Sequence, residues 1–104
     1  MLKLKANPTF KAKVLIPVSG AEAVPVTFEF RHMTRDALNA FLTGDDAKGR
    51  SYEDTVFAIV AGWDGVEAAY SKDALAEMFQ NYMGAPLAIL QAYGQELNKA
   101  KLGN

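Results

Sequence analysis

The sequence predicts an α+β fold: an N-terminal antiparallel β-hairpin packed on a bundle of about four short α-helices. Three observations lead there. Apolar side chains fall at every second position from Phe10 to Val18 and again from Val24 to Phe30, the period of a strand with one buried face. From Thr34 onward they recur at spacings of three and four behind hydroxyl-bearing cap residues, the period of amphipathic helices. The strands precede the helices instead of alternating with them, which separates α+β from α/β. With 104 residues, the chain is about one domain long. It reads as a single domain, 1–104, with the hairpin over 9–33 and the helical part over 34–102.

In the first strand Phe10, Ala12, Val14, Ile16 and Val18 alternate with Lys11, Lys13, Leu15 and Pro17. In the second, Val24, Val26, Phe28 and Phe30 alternate with Pro25, Thr27, Glu29 and Arg31. The segment Ser19 to Ala23 reads as a longer hairpin loop, entered through Gly20. Pro17 and Pro25 lack an N–H and belong at strand edges or ends. A lone hairpin is marginal in water, so something must cover its apolar face.

The helices supply that cover. Thr34 is placed to cap the first, with Asp36 in the first turn, Leu38, Phe41 and Leu42 on one face and Gly44 at the stop. A polar loop runs from Gly44 to Arg50. Ser51 and Asp54 have capping-box spacing. Behind them Tyr52, Val56, Ile59, Val60 and Trp63 form a stripe that predicts a second helix ending at Gly62 and Gly65. Ser71 caps a third helix with Leu75, Met78, Phe79 and Tyr82 on one face and Gly84 at its end. Pro86 suits the first turn of a fourth, whose expected stripe is Leu87, Leu90, Tyr93 and Leu97. Fraying is expected over Leu102-Gly103-Asn104.

Composition removes several classes of function. Half the residues are hydrophobic and 22% are charged, ordinary globular usage that argues against disorder. Net charge is −1, split into +4 over residues 1–35 and −5 over 36–104, so there is no global basic field for nucleic acid. No apolar run approaches the ~20 residues of a membrane span, and the N-terminal residues do not read as a signal peptide. There is no cysteine and one histidine, His32. That excludes a thiolate nucleophile, a cysteine metal site and a histidine cluster.

The remaining short motifs read as structure. His32 lies at a strand end with no nucleophile to serve, and no Gly-x-Ser-x-Gly elbow is present. Asp45-Asp46 lacks the alternating oxygens of a calcium loop. Gly62-Trp63-Asp64-Gly65 has the outline of an RNA-clamping GxxG loop, but its acid would repel phosphate; it reads as a helix stop with Trp63 turned into the core. Arg31-His32-Met33-Thr34-Arg35 reads as a solvated basic cluster. No catalytic residue, metal ligand or cofactor-binding residue is expected. What remains is a surplus of aromatic side chains over what one small core readily hides, and a leftover apolar patch marks a partner site.

Four stretches in order carry a family resemblance. They are Val26-Thr27-Phe28-Glu29-Phe30-Arg31-His32-Met33-Thr34-Arg35-Asp36; Val56 to Val66, with Ile59-Val60-Ala61-Gly62-Trp63-Asp64-Gly65-Val66; Tyr70-Ser71-Lys72-Asp73-Ala74-Leu75; and Ile89 to Asn104, with Ala92-Tyr93, Glu96-Leu97 and Gly103-Asn104. Over roughly residues 9–104 the chain resembles the tail assembly chaperones of long-tailed bacteriophages. It departs from them at Tyr70, where phenylalanine is common, and at the turn Met83-Gly84-Ala85-Pro86. The resemblance implies a non-enzymatic protein that coats the tape measure protein in the host cytoplasm and keeps it soluble until the tail tube polymerises around it. It would then be absent from the mature virion. The implied partners are the tape measure protein, then the major tail tube protein and further copies of the chain, without nucleic acid or membrane. The alternative from another class is a structural tail completion or connector subunit that stays in the particle. Tyr70, Tyr82 and Tyr93 are the expected partner-binding residues, because a tyrosine ring can bury area while its hydroxyl stays wet.

Overall fold

The computed structural model describes residues 1–99. A three-stranded antiparallel sheet, ordered β1-β2-β3, is built from β1 (Thr9–Val18), β2 (Ala21–Arg31) and β3 (Val60–Asp64). Four helices accompany it: α1 (Arg35–Thr43), α2 (Tyr52–Ile59), α3 (Lys72–Asn81) and α4 (Ala85–Asn98), with a short 3-10 turn at Asp45–Ala47. The α+β class, the N-terminal hairpin and the four helices are as the sequence predicts. The expected fraying at 102–104 lies outside the described residues.

The hairpin register follows from the alternation. Phe10 faces Phe30, Ala12 faces Phe28 and Val14 faces Val26, so both strands turn their apolar residues to one side. Val14, Ile16, Val26, Phe28 and Phe30 are buried there, while Lys11, Lys13 and Leu15 stay exposed on the other side. The connection is tighter than the loop expected from the sequence. Val18 pairs with Ala21 across Ser19-Gly20 alone. Gly20 supplies φ +74°, a conformation that a two-residue turn needs and that glycine reaches without steric cost.

The largest departure lies after Ile59. The sequence predicts a helix running on to Trp63. Instead α2 stops at Ile59, Val60 turns extended at φ −113° and ψ 128°, and the chain becomes β3. It pairs with β2 from Thr27 to Phe30. The reason is tertiary. The hairpin leaves one edge of β2 with unpaired N–H and C=O groups, and five residues containing Val60 and Trp63 satisfy part of it. Arg31 fixes the junction from β2: its Nη1 donates to the carbonyls of Phe57 (3.1 Å), Ala58 (3.3 Å) and Val60 (2.8 Å). These are orphan carbonyls at a helix C-terminus, where a cation is favoured.

The three predicted caps form. Thr34 accepts from the Ala37 N–H, Ser51 from Asp54 and Ser71 from Ala74. Helix α4 lies along β1, beginning where Gly84 meets Pro17. Its buried face is Ala85, Pro86, Ile89 and Tyr93. The stripe predicted from Leu87 is therefore rotated: Leu87 is 55% exposed. Small residues at the start of α4 permit the close approach to β1 that a leucine there would prevent.

Candidate functional site

The three tyrosines expected at a binding surface occupy three different environments. Tyr93 is 4% exposed. Its ring stacks on Phe10 (6.1 Å between centroids) and packs on Phe30 (5.2 Å). Its hydroxyl donates to the Arg31 carbonyl at 2.7 Å, joining α4 to the end of β2. Burial raises its pKa above the ordinary tyrosine value. The ring has almost no free surface in this conformation.

Tyr70 is half-buried between Phe57 (5.7 Å) and Trp63 (5.2 Å). Its hydroxyl donates to the Val60 carbonyl (2.9 Å), which also accepts from Arg31. Burial pushes its pKa up to about 12, against a smaller opposing pull from the Arg31 charge. Tyr70 is thus part of the clamp that turns α2 into β3. Trp63 is the other half of that clamp. The sequence expects its ring in the core; instead it lies half-buried against the core, from a strand, edge-on to Phe28, with Nε1 donating to the Ala68 carbonyl at 2.8 Å.

Tyr82 is different. It is 39% exposed at the C-terminal end of α3 and lines an open cleft of about 450 Å³. One wall is the inner face of the hairpin near its tip: Ile16, Val18, Val24 and Val26. The segment Gly65–Ala68, just after β3, forms the end. The other wall is α3, which presents Ala74, Glu77, Met78, Asn81 and Tyr82. Ala74, Glu77, Met78 and Asn81 follow i, i+3, i+4 and i+7, one face of the helix, and Tyr82 follows as its C-cap. Leu75 and Phe79, on the neighbouring face of α3, are buried in the core. Gly65 has φ +101° and brings its backbone against Pro25 and Val26, so a residue with a Cβ there is strained.

The cleft is lined by apolar side chains together with Asn81 and two glutamates, Glu67 and Glu77, with no lysine or arginine among its lining residues. Neither carboxylate has an ion-pair partner among the described residues, where the ion pairs are Lys72–Asp54 and Lys99–Glu96. The first of those joins α2 to α3, and its hydrogen bond holds the Asp54 pKa below the ordinary carboxylate value. Other apolar side chains reach solvent elsewhere: Leu15, Leu42, Tyr52, Met83 and Leu87 are each more than half exposed. No group of three or more His, Cys, Asp or Glu among the described residues is placed to hold a metal. His32 is exposed; its backbone N–H donates to the Pro8 carbonyl. No described helix is long and apolar enough to cross a membrane.

Sequence reasoning reaches Tyr82 but not the cleft around it. Periodicity assigns Val18 and Val24 to a strand face and Glu67 to a turn. It says which face a residue shares, not what lies opposite.

The fold and the cleft define a small α+β domain with an open apolar groove. The profile of one family, described as phage tail assembly chaperone, matches residues 1–104. The chain belongs to that family, as the resemblance implied. Its role is therefore in phage tail assembly, with a tail protein as partner in general terms. No curated protein and no solved structure matches the chain.

Proposed function

We propose that this chaperone binds the tape measure protein of its phage and keeps it soluble in the host cytoplasm until tail tube subunits polymerise around it, then leaves. The observation that supports this most directly is the groove between the hairpin tip and α3, an unfilled apolar surface on a member of a tail assembly chaperone family. A partner helix can lay its apolar face into such a groove without covalent chemistry. An open groove also suits release. Burying a modest apolar area, less the cost of ordering the partner, leaves an affinity that a polymerising tube can overcome.

Co-expression tests the reading. The tape measure protein of the same phage should move from the insoluble to the soluble fraction when the chain is present, and should co-purify with it. Purified virions should lack the chain. A chain found in finished particles at fixed copy number would replace this reading with that of a structural tail subunit.

A further inference from the structure

We infer that the groove selects a cationic amphipathic helix: a segment whose apolar side chains enter the cleft between the hairpin tip and α3, and whose flanking lysines or arginines meet Glu67 and Glu77. The inference rests on the chaperone reading for its biological setting, but the features that support it are local.

Apolarity comes first. Val24 is 47% exposed although it belongs to the inward-facing series of the hairpin. Its neighbours in that series, Val14, Ile16 and Val26, are 3–4% exposed. Val24 marks the place where the apolar face of the sheet outruns its cover. Met78 and Tyr82 approach from α3, so apolar surface lies on two sides of the cleft.

Shape points to a helix. Helix α4 covers β1. The first part of β2, residues 21–26, has no β3 partner, and at Val24 its inner face is left exposed. The open wall of α3 is a ridge of positions 74, 77, 78 and 81, with the C-cap Tyr82 beyond its last turn. Ridges of this kind pack into the grooves of a second helix at ~8–10 Å between axes. A helix seated beside α3 extends the helical layer over the bare part of the hairpin.

Charge gives the sign. The carboxylates of Glu67 and Glu77 line the cleft without internal cations. An incoming acidic helix is repelled at the site by Glu67 and Glu77, while a basic one is drawn in.

Two synthetic helical peptides of about 18 residues test this. They share one leucine stripe and differ only in carrying lysine or glutamate beside it. By fluorescence anisotropy at low salt, the lysine peptide should bind the native chain about tenfold more tightly, the size expected of two exposed charge contacts that change from attraction to repulsion. The ratio should shrink as salt rises. The double variant Glu67→Lys/Glu77→Lys, changed only at exposed positions, should reverse the preference. Val24→Gln should weaken both peptides by removing apolar surface from the cleft without changing its charge. Equal binding of the two peptides, or a preference unchanged by the double reversal, overturns the inference. The co-expression experiment keeps the two proposals apart. A native chain that solubilises the tape measure protein but shows no charge preference retains the chaperone reading and loses this one. A chain whose preference reverses on charge reversal but that leaves the tape measure protein insoluble does the opposite.

Discussion

Replacing Tyr93 separates a structural tyrosine from a binding one. The ring is buried to 4% exposure between Phe10 and Phe30, and its hydroxyl holds the Arg31 carbonyl at 2.7 Å. Tyr93→Phe keeps the ring pairs and removes the hydrogen bond. The hydrogen bond is part-buried, and its removal leaves the Arg31 carbonyl without this donor, an expected loss of about 1–2 kcal/mol. Tyr93→Ala removes the ring as well. A large aromatic cut from a packed core costs ~3–5 kcal/mol, including ~0.5–1.5 kcal/mol for aromatic pairing. Against a typical total stability of ~5–15 kcal/mol, that is a large share. Urea unfolding followed by the fluorescence of Trp63, the single tryptophan, measures both variants through the shift in midpoint at constant slope. If Tyr93→Ala lost less than about 1 kcal/mol, the packing argument would fail. A stable Tyr93→Ala chain that no longer solubilised the tape measure protein would place the ring in the partner interface instead.

Two glycines should respond to alanine with opposite signs. Gly94 sits inside α4 with nothing within 4 Å of the place a Cβ would take, so Gly94→Ala should stabilise by ~0.5–1 kcal/mol. Gly65, at φ +101° and with the Pro25 carbonyl 3.4 Å from such a Cβ, should lose ~1–3 kcal/mol on the same change; thermal unfolding of the pair checks both. The tyrosine pKa shifts set an alkaline limit. Tyr70 is raised from 10.0 to about 12 and Tyr93 is raised as well, so the folded state favours the protonated phenols. The stability they contribute is complete below pH 10 and is lost as pH rises toward 12. Unfolding free energy measured across that window should fall less steeply for Tyr70→Phe than for the native chain, and identical slopes would remove Tyr70 as a cause.

Sequence signals are legible wherever the local chain decides the structure. Thr34, Ser51 and Ser71 cap helices because a hydroxyl three residues before an N–H satisfies it in any context. The 10–30 alternation reveals the inward face of the hairpin because strand geometry has a fixed period. Legibility ends where a distant element decides. Tyr52, Val56, Ile59, Val60 and Trp63 satisfy helical spacing, yet the open edge of β2, some thirty residues away in the chain, draws Val60–Asp64 into a strand. The β-branched Ile59 and Val60, followed by Gly62, are weak helix formers and are the local sign that the helix can yield there. Tyr93 presents the same problem at the candidate site. A tyrosine on a helical stripe reads equally as core or interface until the Arg31 carbonyl, 62 residues earlier, is found to be its partner.

The position of the groove follows from the unequal lengths of the elements. Strand β2 has 11 residues and β3 has 5, about 37 Å against 17 Å at the antiparallel rise. More than half of β2 therefore lies beyond the reach of β3. Pro25, which has no N–H to offer a neighbouring strand, falls in that unreached part. Opposite it, α3 has 10 residues, about 15 Å, and directs Leu75 and Phe79 to the shared core while its Ala74–Tyr82 face looks over the bare hairpin. The shortness of β3 leaves the core complete, since Phe28 and Phe30 are fully buried by Trp63, Val60 and Tyr93 at the other end of the strand. The aromatic packing is thus concentrated at one end of the sheet and the open cleft lies at the other, so the aromatic core does not depend on what fills the cleft.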